Sequence, residues 1–191
     1  MIVGTAKPKT RLRLTAFDRR YASLIAQWVE TDEELHWLAP STPPPLTPEK
    51  VAAWRRPDGY AFVLTRDGDR QPIGYGELNT MRGELNHLWL GHVIVRPDQR
   101  GRGTGRAFVR KLRTHAFKRH SAERVSLIVF PENVAAVRCY VRAGFVIKGE
   151  EYHRFGGFGR KHKLLRLICE KPSACCPETS FTSWPSKLLT K

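Results

Sequence analysis

The chain has 191 residues, 41% of them hydrophobic, and a formal net charge of +15. That length fits one domain plus a tail and can bury a core of its own, and the composition excludes wholesale disorder. No stretch reaches the apolar length that crosses a bilayer, and Met1 to Arg13 has lysines but no apolar run behind them, so it does not read as a secretory signal.

Arg11 to Phe17 alternates and predicts a first strand. Asp18 suits a helix N-cap, with Tyr21, Leu24, Ile25, Trp28 and Val29 at helical spacing behind it. Three consecutive prolines bar 39–46 from helix and predict a rigid loop. Thr47-Pro48-Glu49 then opens a short helix that ends by Pro57-Asp58-Gly59. Strands follow over Tyr60–Thr65 and Pro72–Leu78, joined at Asp67-Gly68-Asp69, and a further strand spans His87–Val95. Gly103 to about Arg119 reads as helix, Arg124–Phe130 as strand and Asn133–Arg142 as a helix stopped by Gly144. A final hairpin takes Phe145 to about Phe155 and Lys161–Cys169 around Gly156-Gly157-Phe158-Gly159. The order predicts one compact α/β domain over 1–171, with 172–191 a tail, flexible or held loosely over the surface by Phe181 and Trp184.

Cys139, Cys169, Cys175 and Cys176 show neither zinc-site spacing nor a disulfide framework, so no metal is expected and a reduced, cytoplasmic setting is. The charge is uneven. Residues 1–95 hold 12 Lys+Arg against 11 Asp+Glu, or +1; residues 96–191 hold 21 against 7, or +14. A polyanion partner, nucleic acid included, therefore has to be considered. The excess begins at Arg100-Gly101-Arg102-Gly103-Thr104-Gly105, a glycine-rich turn between strand and helix. Such turns form anion sites, because glycine admits positive φ and the first amides of the helix lack intrahelical partners. No Lys-Ser/Thr follows, which excludes a P-loop, and the last glycine is misplaced for a dinucleotide fingerprint.

Arg100-x-x-Gly103-x-Gly105 resembles the acetyl-CoA pyrophosphate loop of the GNAT superfamily, and Asn133-x-x-Ala136-x-x-x-Tyr140-x-x-x-Gly144-Phe145 resembles that superfamily's second block. The sharp part covers 92–146 and the looser part about 10–170. The resemblance implies a mixed, mostly antiparallel sheet of about seven strands with a splayed central parallel pair and four helices. It implies acetyl-CoA as cosubstrate, held by the amides of Gly101, Arg102, Gly103, Thr104, Gly105 and Arg106 with Arg100, by the strand edge at Val93 and Val95, and by Asn133. Arg110, Arg138 and Arg142 are further candidates for the 3′-phosphate, and Tyr140 is the implied general acid.

A base is less legible. Protein N-terminal members of the superfamily carry a Glu where this chain has Ile128. Glu77, Glu84, His87 and His92 remain, and Glu77 is preferred because Gly74 and Gly76 on its strand leave room for a ligand. Strand alternation groups His92 with Leu88, Leu90 and Ile94 on a helix-packed face. The acceptor is expected to be a primary amine of a small molecule or a protein N-terminus. Glu30, Asp32, Glu33 and Glu34 beside Trp37 would suit a cationic one, such as a polyamine or aminoglycoside. Transfer of a longer acyl group, acetyl-CoA sensing without turnover, and basic nucleic-acid binding stay open, the last weakened by the lack of a known binding motif. Membrane contact is not expected; a homodimer is the assembly left open.

Overall fold

The computed structural model describes residues 11–172 apart from 70, 82 and 156–159, so the expected tail, most of the N-terminal arm and the glycine tip of the last hairpin lie outside the described residues. Seven strands form one sheet: β1 (Leu12–Ala16), β2 (Gly59–Arg66), β3 (Gly74–Thr80), β4 (His87–Val95), β5 (Arg124–Val129), β6 (Val146–Arg154) and β7 (Lys161–Glu170). Their spatial order is β1-β2-β3-β4-β5-β7-β6, and only β4 and β5 run parallel.

Among the described residues five α-helices accompany the sheet, where four were expected: α1 (Ala22–Ala26), α2 (Asp32–Leu38), α3 (Pro48–Trp54), α4 (Thr104–Arg119) and α5 (Val134–Arg142). The first expected helix stops early, and α2 restarts behind it because Thr31 caps it: Thr31 Oγ1 accepts from the Glu34 amide at 3.1 Å. Thr47 caps α3 in the same way, with proline in the first turn. None of the described helices is long and apolar enough to cross a membrane.

Each face of the sheet has its own core. Phe108, Val109 and Leu112 of α4 press on Leu64, Leu78, Leu90 and Leu127, and each such fully buried side chain contributes about 1.5–3 kcal/mol. On the opposite face Ile25, Trp28, Leu35, Val51 and Trp54 pack with Val63, Tyr75 and Ile94. Gly74 and Gly76 serve the first of these cores rather than a ligand: a Cβ at either would stand 3.0 Å from Phe108 Cδ1 or 3.1 Å from Leu112 Cδ1. Here glycine lets α4 lie close to the sheet.

Two irregularities in the middle of the sheet create the site. The first is the parallel seam, which pairs only His87–Trp89 with Arg124–Ser126; beyond Trp89 the strands part. At its closed end His87 bridges two side chains, Nδ1 at 2.7 Å from Glu84 Oε2 and Nε2 at 2.7 Å from Ser126 Oγ. The second is a β-bulge in β4. Tyr75 pairs with Ile94 but Glu77 with Gly91, so His92 and Val93 together face Gly76. His92 adopts φ 45° there. The extra residue inverts the parity of the strand: Leu88 and Leu90 join the α4 core, Ile94 joins the other, and Val93 and Val95 turn toward α4. The expected grouping of His92 with Leu88 and Leu90 fails for this reason.

Candidate active site

The parted strands border a cleft of about 490 Å³ whose walls include Val93 and Val95 from β4, Ile128 and Phe130 from β5 and its end, and Asn133 and Tyr140 from α5. β4 from Gly91 to Val95 pairs with β3 alone, so its edge toward β5 has no strand partner. A strand edge without a partner presents a row of backbone donors and acceptors.

The glycine-rich turn closes one end. Gly101 and Gly103 both take positive φ, 71° and 79°, and nothing lies within 4 Å of where a Cβ at either would stand. Gly103 is the N-cap of α4, and with no side-chain cap the first amides of the helix stay open. The bond from the Ala107 amide to Gly103 O, at 3.0 Å, starts the ladder. Gly105 has a packing reason: its Cβ would approach Cys139 Sγ at 3.3 Å, so a small residue lets α4 and α5 meet. The amides of 101–106 and the open β4 edge together fit a ligand with a pyrophosphate and a chain of amides.

The Arg100 side chain points elsewhere. Its guanidinium donates to Glu34 Oε1 at 2.6 Å, to Glu30 Oε2 at 3.1 Å, and to the carbonyls of Val95 and Trp28. It ties the α1–α2 connection to the end of β4. Arg102 and Arg106 remain exposed. Asn133 caps α5, Oδ1 accepting from the Ala136 amide at 3.1 Å, which leaves its Nδ2 for a ligand.

Tyr140 stands on α5 at the cleft floor, edge-on to Phe145 with ring centroids 6.2 Å apart. Burial pushes its phenol up from the ordinary value, with Cys139 adding to the effect. The hydroxyl therefore keeps its proton across the neutral range.

Glu77 does not reach the cleft. It is 1% exposed, and three neighbours surround its carboxylate. The Tyr75 hydroxyl donates to Oε1, Asn79 Nδ2 donates to Oε2 at 3.2 Å, and His92 Nδ1 lies 3.0 Å from Oε2, off the line of a good hydrogen bond. Burial raises the Tyr75 phenol strongly, and the charge of Glu77 raises it further, so it stays a donor. Such company is what a buried carboxylate requires. His92 sits between this group and the cleft, stacked on Trp54 at 4.6 Å and 27% exposed. The bulge that removed it from the expected face put it here. Glu84 and His87 lie at the closed end of the seam, away from the cleft walls. Tyr75 and Asn79 escaped the sequence reading, although both fall two residues from Glu77 and so on its side of β3.

A family model described as Acetyltransferase (GNAT) family matches residues 22–145. The spermidine N(1)-acetyltransferase of Escherichia coli (strain K12) is 28% identical over 109 residues, 56% of this chain and 55% of that protein. The probable spermine N(1)-acetyltransferase of Bacillus subtilis subsp. natto (strain BEST195) is 30% identical over 63 residues, 33% of this chain and 41% of that protein. The chain thus spans about half the length, or less, of these curated relatives. Spermidine N-acetyltransferase from Vibrio cholerae, solved with CoA and spermine, superposes with a TM-score of 0.68 at 20% identity, covering 83% of this chain and 95% of that one. At that identity the likeness is one of fold.

Proposed function

Because the chain belongs to the GNAT acetyltransferase family, we propose that it transfers an acetyl group from acetyl-CoA to a primary amine by direct attack. The observation that carries this reading is the continuity of the open-amide turn at 101–106, the unpaired β4 edge and the cleft that ends at Tyr140. Acetyl-CoA supplies an activated thioester. The amides of Gly101 to Arg106 hold its pyrophosphate, the backbone at Val93 and Val95 its amides, and Asn133 Nδ2 its pantetheine arm.

Tyr140 Oη donates a proton to the departing sulfur; burial keeps the phenol protonated, and so able to donate, at neutral pH. His92 Nε2, the ring nitrogen away from Glu77, accepts the proton that the attacking amine sheds. Glu77 is then a positioning residue: it acts through His92 and does not touch the amine, which revises its expected role as the base. The proposed domain takes 1–171 of the sequence, and a cytoplasmic setting with neither metal nor membrane fits the cofactor.

Two measurements test the reading. Acetyl-CoA at 100 times its Kd should stabilise the protein by about 2.7 kcal/mol, seen as a rise in Tm; no rise at millimolar acetyl-CoA overturns the proposal. Tyr140→Phe should lower kcat by about 10²-fold or more while leaving the affinity for acetyl-CoA within a few-fold. Unchanged kcat removes its role as acid, and binding without any turnover in the unaltered protein would leave a sensor of acetyl-CoA.

A further inference from the structure

The acidic run of α2 suggested a polycationic acceptor, but the structure commits those carboxylates elsewhere. Glu30 and Glu34 are bound by Arg100 at 3.1 and 2.6 Å. Asp32 and Glu33 stand exposed in the first turn of α2 and take no part in the cleft wall. Among the described residues Glu34 is the one acidic side chain that lines the cleft, and it is held by Arg100, whose single charge it shares with Glu30. Glu77, behind the wall, is enclosed by Tyr75, Asn79 and His92.

The cations are placed the opposite way. Arg56 lines the cleft and forms no ion pair among the described residues. On the far side Arg166 lies 4.8 Å over the Trp89 ring, its charge met by a two-fold contact with Glu151 at 2.6 and 2.7 Å.

What the wall offers instead is ring surface. Trp37, Trp89, Phe130 and Phe155 all face the cleft. Behind this wall His36 lies against Phe130, tilted by 47° with centroids 4.8 Å apart, and burial, with His162 nearby, lowers its pKa, so it adds no charge there. Aromatic walls hold flat apolar bodies by burial and by edge or offset contacts, and tolerate one ammonium through the ring faces. Among the described residues a second or third ammonium would find only Glu34, already held by Arg100, and would meet Arg56.

We infer that the acceptor is a monoamine carried on an aromatic or flat apolar body, and not a polyamine. The inference rests on the acetyltransferase reading and narrows it. It sets this chain apart from the spermidine and spermine acetyltransferases to which it is similar.

The test is steady-state acetylation of tryptamine and 2-phenylethylamine against spermidine and spermine, all with acetyl-CoA. The expected result is a kcat/KM for the aromatic amines at least tenfold above that for either polyamine. Trp37→Ala should raise KM for tryptamine at least fivefold with kcat changed far less, while acetyl-CoA still raises the Tm of the variant. Arg56→Glu should raise kcat/KM for spermidine several-fold. A polyamine turned over as well as or better than the aromatic amines overturns the inference. So does a failure to acetylate either aromatic amine when acetyl-CoA still stabilises the protein. Loss of that stabilisation in the unaltered chain would instead sink the acetyltransferase reading beneath it.

Discussion

His92 and Glu77 show how one backbone irregularity decides the chemistry of two side chains. Without the bulge, His92 would share the α4 face with Leu88 and Leu90, and Glu77 would be left a buried carboxylate with two neutral donors. With it, Nδ1 stands 3.0 Å from the carboxylate and the ring reaches the cleft wall. Glu77→Gln keeps the shape but removes the charge beside His92 Nδ1. We predict that it lowers kcat at least tenfold and leaves KM for acetyl-CoA within twofold. A kcat within twofold of that of the unaltered protein would exclude the coupling. The positive-φ glycine turn and the place of Tyr140 on the cleft were legible from residue identity alone, since both belong to ordered motifs. His92 was not, because a non-glycine residue at positive φ leaves no mark in the sequence.

At the scale of elements, the strands were read to within two residues because each alternates or is rich in β-branched residues between clear turns. α2 was missed although Thr31 and Glu34 have the spacing of a capping box; the acidic cluster drew the reading toward charge instead of capping. The β6–β7 hairpin depends on a charge arrangement that sequence spacing does not reveal. Arg166 donates twice to Glu151, and His153 adds a third contact, holding the Glu151 carboxyl at about 2 in the folded protein. A depressed folded pKa gives stability that is fully present above the ordinary 4.5 and is lost as pH falls from there toward about 2. Partial exposure of both partners limits its size to about 1 kcal/mol. Glu151→Gln should therefore melt below the unaltered protein at pH 7, and the difference should shrink as the pH approaches 3. Melting curves that keep the same separation at both pH values would rule this out.

Across the whole molecule the charge asymmetry becomes a geometric one. Arg102, in the turn before α4, and Arg106, Arg110 and Lys118, on its exposed ridge, fall at multiples of four residues, and none forms an ion pair among the described residues. The ridge begins at the glycine-rich turn, where Arg102 and Arg106 would suit the cosubstrate under the proposed function. The remainder offers a polyanion charge without aromatic side chains to stack bases. Four phosphate contacts imply an affinity for duplex DNA that falls with salt at a slope of about −3.6, roughly 10²-fold between 50 and 200 mM. A mobility-shift series should show weak binding at low salt and none at physiological salt. Binding that persists there would restore nucleic acid as a partner.

The short β4–β5 seam has a mechanical consequence. Three paired residues, locked at their closed end by the Glu84–His87–Ser126 chain, hold apart two strands whose free lengths border the cleft. From Trp89 to Val95 the diverging length of β4, paired on its other edge with β3, is about 20 Å long at ordinary strand rise. A rotation of about 5° at the seam, which β3 would have to follow, would displace its far end by nearly 2 Å, about the difference between a productive and an idle separation of reacting atoms in the proposed transfer. Stiffness at the fulcrum, far from any substrate, thus sets the tolerance of the chemistry, and a slack hinge at Ser126 would cost rate without touching a single ligand contact.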